Sequence, residues 1–331
     1  QQYYQVQLDD LQSKVALTNK AKSEVQAFEF IPASALLAQI EDIPEDKKLI
    51  KNGLLKTHQS EVLDIVEQRI ASLPKSDNGL YQNYEKIAQI INDIERFYPD
   101  SVRLLQIKNQ AERSKQSVVD ALSERLSLLL SQARYNEQGS NNIQAIVEGL
   151  TFVEPGYVYT ASNEEYALYA SSFDNALKKH DINQISALIT TGENIFSNYP
   201  QAKSLITYGA ELKVAVKGLN DYHDLTAKGK TVVYPYEAAE VYYRDTFNQL
   251  TVRLDAIDNP KDLHEFDKEV RGLATNLPDD FEPLLTLDKR LAASFLRQAN
   301  VYLDKQYLKT ARELFARGNE MYERLNGVQR L

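Results

Sequence analysis

Residues 295 to 325 constrain the architecture more than any other stretch of this 331-residue chain. They read as two helices joined by a tight turn. Phe295, Ala299 and Tyr302 lie on the first, and Leu308, Ala311, Phe315, Gly318, Tyr322 and Leu325 on the second. The second set keeps alternating steps of three and four residues, so it predicts one continuous apolar stripe along a helix. Small residues (Ala299, Ala311, Gly318) alternate with large ones (Tyr302, Phe315, Tyr322), a pattern that lets two helix backbones approach while rings fill the gaps. The expectation is a helical hairpin that stacks on another.

These residues resemble the tetratricopeptide repeat, whose pattern is W-x2-L-G-x2-Y, A-x3-F, P. Phe295 stands at the Trp position, Ala299 at the Gly, Tyr302 at the Tyr, Ala311 and Phe315 at the A-x3-F pair, and Gly318 at a later small position. Gln298 departs from the Leu, and Glu323 stands where Pro would be. The resemblance implies an all-α superhelix, or solenoid, of tetratricopeptide-like hairpins and a scaffold that binds proteins.

The rest of the chain carries the same kind of signal. Prolines fall between apolar-periodic segments rather than within them, which favours an all-α chain. Short strings recur: Val147-x-Gly149-Leu150 as Val270-x-Gly272-Leu273, and Tyr98-Pro99 as Tyr199-Pro200 and Tyr234-Pro235. They suggest helical-hairpin units of irregular length. The expected organisation is an N-terminal helical cap or linker at 1–55, hairpins at 56–224, a loop with a β-prone stretch at 225–236, and further hairpins at 237–331. Within residues 1 to 28, Val6, Leu8, Leu11, Val15 and Leu17 keep a rough helical period, which reads as an amphipathic helix that caps the array or continues from a membrane anchor upstream.

Composition narrows the partners. A net charge of -9 with both signs interspersed offers no field for nucleic acid. No apolar run is long enough for a membrane span. There is no Cys, which removes disulfides, thiolate metal sites and cysteine nucleophiles and points to an exported protein. A start at Gln1 without Met reads as a processing site or an imposed boundary, so the expected location is periplasmic or extracellular, with the cytoplasm as the alternative.

Chemistry-bearing motifs are sparse. His58, His180, His223 and His264 lack metal spacing, and no phosphate loop or nucleophile motif occurs, so no catalytic, metal or cofactor-binding residue is expected. Asp279, Asp280 and Glu282 fit a helix start, where carboxylates complement the macrodipole. Tyrosine is the unusual residue, with 20 copies and no Trp. One cluster is Tyr157, Tyr159, Tyr166 and Tyr169; another is Tyr234, Tyr236, Tyr242 and Tyr243. On a concave repeat surface these would line a site for a protein, peptide or glycan partner, and otherwise they pack between helices. The expected function is a non-enzymatic interaction scaffold or sensor module, the extracytoplasmic part of a receptor or envelope assembly factor. The alternatives are an all-helical hydrolase working with paired carboxylates and a self-assembling structural subunit.

Overall fold

The computed structural model describes residues 2–27, 33–75 and 83–329. Among them the chain is all-α, with thirteen α-helices, two single 3-10 turns and no β-strand. Contacts cluster into two compact units, Gln1–Tyr166 and Ala167–Leu331.

In the first unit, α1 (Gln2–Ala27), α2 (Ala33–Glu41), α3 (Lys48–Ala71), α4 (Tyr84–Glu95), α5 (Val102–Ser131) and α6 (Ile143–Val153) follow in order. α3 runs unbroken through residues 55 and 56, where the sequence suggested a boundary. Leu54, His58, Val62 and Val66 hold one buried face across that point. The Tyr98 hydroxyl closes the α4–α5 turn onto α3 by donating to the Leu55 carbonyl at 2.9 Å, and burial pushes its pKa up to about 12. Leu126, Leu129 and Leu130 of α5 are buried, as are Ile143, Ile146 and Leu150 of α6, which packs against it.

Helix starts follow local chemistry. Side chains of Asn83, Ser101, Asn142, Asp181 and Asn259 each accept a bond from a backbone N–H three residues on. Ser162 and Glu165 form a reciprocal capping box at α7, with bonds of 3.1 and 3.3 Å. Helix ends are equally local. Ala133, His180, Gln306 and Gly229 take positive φ, and the next N–H reaches back five residues at each. This left-handed cap satisfies the last carbonyls.

The second unit contains most of α7 (Asn163–Lys179), then α8 (Ile182–Ile195), α9 (Pro200–Ala227), α10 (Tyr236–Asp255), α11 (Pro260–Ala274), α12 (Glu282–Asp304) and α13 (Leu308–Gln329). α9 runs to Ala227, past 224, where the sequence placed the end of the hairpins. The connection 228–235 contains no strand, because α9 and α10 pack side by side and leave that segment no sheet partner. At Gly209 the backbone of α9 lies against the Phe173 ring and Ile185, so close that an added Cβ would come within 2.8 Å of the ring. α12 is the central helix, buried along much of its length between α10 and α11 on one side and α13 on the other.

The C-terminal hairpin forms as expected; Ala311, Gly318 and Leu325 lie on the expected face, while Leu314 and Met321 take the inward places expected of Phe315 and Tyr322. Ala311, Leu314, Gly318, Met321 and Leu325 face inward, again in three-four steps, while Phe315 is 53% and Leu308 61% exposed. A Phe packed at the A-x3-F position, which the resemblance implies, is therefore not found. Gly318 sits against Leu296 and Phe295, and this close approach turns α13 about its axis so that Leu314 points inward. The recurring strings also fall on different faces: Leu150 is fully buried and its counterpart Leu273 only partly. Tyr98 precedes the cap of α5 by three residues, whereas Pro200 is already the first residue of α9. Two or three shared residues do not determine a helix's orientation when the rest of its surface differs.

A charged layer crosses the second unit. Asp267 of α11 and Asp288 of α12 are buried, and three arginines close over them. Arg317 grips Asp267 with two bonds of 2.6 and 3.0 Å. Arg271 and Arg324 both bond to Asp288, the latter at 2.7 Å. Burial pushes the Asp288 carboxyl up, and Arg271 and Arg324 oppose that shift. These are the buried carboxylates among the described residues, and each is tied to guanidinium groups, so they join helices.

Candidate functional site

Beyond the residues of α9 that face the core (Leu212, Ala215, Leu219), a second row of small apolar residues (Ala210, Val214, Gly218) runs along its flank at four-residue spacing. Four-residue steps place side chains in one ridge inclined to the helix axis. Ala238 and Val241 of α10 face that ridge. An added Cβ on Gly218 would stand 3.4 Å from that of Ala238, so the two helices approach closely here. The result is a groove of about 750 Å³, floored by aliphatic groups and closed at one end by Pro235 and Tyr236. Val214, at its centre, is 73% exposed.

Polar groups stand at the rim. Glu211 lies 3.6 Å from Arg244, whose guanidinium also sits over the Tyr208 ring at 5.2 Å. Glu237 is exposed. The Tyr236 hydroxyl donates to Asp280 at 2.8 Å, so the second expected tyrosine cluster does meet one residue of the acidic run at 279–282.

The expected tyrosines take different places. Tyr236 lines the groove, and Tyr234 supports it edge-on, with ring centroids 5.2 Å apart. Burial, with Tyr243, Tyr222 and Tyr236 around it, pushes Tyr234 up to about 12. Tyr242 packs on His180 at 4.2 Å, and Tyr243 turns towards Phe247 and Phe281, so both mainly fill space between helices. In the other cluster, Tyr157 pairs with Ser123 of α5 at 2.6 Å, and Tyr159 donates to Glu165 at 2.8 Å. These bonds pin the loop after α6 with the hydroxyls that a partner would use. Tyr166 is half-buried near the start of α7. Tyr169 is fully buried, donates to the Leu188 carbonyl at 3.0 Å and belongs to the core rather than to a surface.

The aliphatic groove residues went unread in the sequence. Their signal was present: α9 is apolar over a wider arc than one buried face requires, and the surplus falls on Ala210, Val214 and Gly218.

A second cleft, of about 360 Å³, lies in the first unit between α4 and α5 at the end of α6. Its lysines are paired, Lys108 with Glu95 at 3.3 Å and Lys115 with Glu154 at 3.8 Å. Its carboxylates Glu85 and Glu112 are exposed and do not converge on a buried point.

His180, which packs on Tyr242 of α10, makes the stability depend on pH. Burial against Tyr242 lowers its pKa below the usual 6.5, with Asp245 opposing. The fold thus favours the neutral ring, and the unfolded chain binds the proton more readily. This contribution is complete above about 6.5 and is lost as pH falls through the lowered value. Thermal stability is expected to fall between about pH 7 and pH 5 more steeply in the wild type than in His180→Asn, since Asn also tolerates positive φ. Parallel slopes in melting scans would contradict this.

Among the described residues, fold and groove together define an all-helical architecture with an exposed aliphatic concavity. No family model, curated protein or solved structure matches the chain. No described helix is long and apolar enough to cross a membrane.

Proposed function

We propose that the protein is a non-enzymatic interaction module that takes an amphipathic helix of a protein partner into the α9–α10 groove. The observation that carries this reading is the exposed Val214 set among Ala210, Gly218, Ala238 and Val241. An aliphatic concavity of this size gains free energy when an apolar face fills it, and small residues along its walls let a second backbone come close. Adjacent helices packed as α8–α9, α9–α10 and α12–α13 support a further reading of the chain as an irregular array of tetratricopeptide-like hairpins. The absence of Cys supports an extracytoplasmic setting, as in a receptor or envelope assembly factor.

The test is fluorescence anisotropy with helical peptides selected from a display library against the wild-type protein. Val214→Asp is expected to weaken the selected peptides at least about tenfold, the usual cost of spoiling an apolar anchor. Unchanged affinity in that variant would remove the groove from the interaction.

A further inference from the structure

The chain carries a convex apolar surface as well as a concave one. On α1, Leu8, Leu11 and Val15 follow at steps of three and four and are 48, 60 and 53% exposed. α1 rests on α3 through the opposite side, where Ser13 and Lys14 are half-buried and the Lys14 side chain lies against Gly53. The helix therefore turns polar groups inward and its aliphatic stripe outward. Amphipathic helices that cover a core do the reverse.

We infer that α1 of a second copy of this chain occupies the α9–α10 groove, seating Leu8, Leu11 and Val15 along Ala210, Val214 and Gly218. This inference rests on the reading of the groove as a helix-binding surface. Length supports it: from Leu8 to Val15 a helix advances about 10 Å, and from Ala210 to Gly218 about 12 Å. Shape supports it as well, because branched side chains fit over a ridge of Ala, Val and Gly, which leaves room for them. Charge agrees. Glu211 and Glu237 stand at the groove's rim. The stripe is flanked by Gln5, Gln7 and Gln12, and a 100° step per residue puts Asp9 and Asp10 on the far side. The rim carboxylates, Glu211 already paired with Arg244, thus face the amide side chains beside the stripe.

Donor and acceptor surfaces differ, so the contact is heterologous and its product is a head-to-tail chain or a closed ring. Three aliphatic anchors make a weak contact, with Kd on the order of tens of micromolar.

Sedimentation velocity of the full chain from about 1 µM to 1 mM tests this. The wild type is expected to grow beyond dimer with concentration, and Leu11→Glu and Val214→Asp each to remain monomeric at least tenfold higher. An equimolar mixture of the two variants is expected to recover dimer and nothing larger, because each retains the surface the other lacks. Leu8→Glu and Ala210→Gln repeat the pattern from neighbouring positions, and circular dichroism confirms that all four fold. A wild type that stays monomeric throughout, or a mixture that fails to dimerise, overturns the inference. Loss in Leu11→Glu alone would show α1 pairing with α1, and loss in Val214→Asp alone groove against groove; either result also overturns it. If the wild type is monomeric yet selected peptides still distinguish it from Val214→Asp, the inference falls while the groove reading stands.

Discussion

Gly209→Ala is expected to destabilise the protein by about 2–3 kcal/mol, although alanine is the better helix former by about 1 kcal/mol. The added methyl would meet the Phe173 ring at 2.8 Å and Ile185 at 3.1 Å. Phe173 is fully buried and wedged edge-on against Tyr169, whose ring stacks on Phe196, so it has nowhere to retreat. Either α9 moves off α7 and α8, opening gaps along that interface, or the ring leaves its place; both sacrifice packing that a core at crystal-like density does not recover. Gly272→Ala is the control with the opposite sign. Nothing lies within 4 Å of a Cβ there, so the propensity gain stands alone, about 0.5–1 kcal/mol of added stability. Urea unfolding of both variants measures the two shifts, and a Gly209→Ala midpoint at or above wild type would show that α9 is not held as closely as described.

Asp288→Ala is expected to cost about 3–4 kcal/mol, the range for removing one partner from a buried ion pair. Asp288 is only 2% exposed, and its loss leaves Arg271 and Arg324 facing each other across a gap in the core. The arginines are less sheltered: the Arg324 side chain is 45% exposed and can turn to water, so Arg324→Ala should cost only about 1 kcal/mol. The asymmetry is the informative part. If Asp288→Ala and Arg324→Ala lose equal stability in urea unfolding, the carboxylate is not the desolvated partner. Replacing Asp288 by Leu should recover part of the loss by filling the volume, although two unpaired guanidinium groups still face it.

Much of the local structure was legible. Asn142, Asp181 and Asn259 begin helices because their side chains satisfy N–H groups that no helix can satisfy internally, and that chemistry needs only neighbours in sequence. The turn between α12 and α13 was legible from the apolar spacing on either side of it, and it closes through Gln306 at positive φ. The orientation of α13 was not. Phe315 and Leu314 are equally plausible inward residues from spacing alone, and Gly318 meeting Leu296 decided for Leu314. The segment at 231–236 shows the converse case, a β-branched and aromatic run with no strand to pair with. Tyr169 looked like its neighbours Tyr157 and Tyr159 in sequence, and only α8, whose Leu188 carbonyl accepts its hydroxyl, made it a core residue.

By itself the amino-acid sequence determined that the described residues are helical, which side chains open several of those helices, and that no disulfide or strongly basic face takes part. Those properties depend on neighbours within a few residues and on composition. Tertiary structure alone decided which of two apolar arcs on α9 is buried and which is left as a groove, and which way the stripe on α1 faces. A helix with more apolar surface than one neighbour can cover has its buried arc chosen by the helices packed against it, and those contacts are remote in sequence.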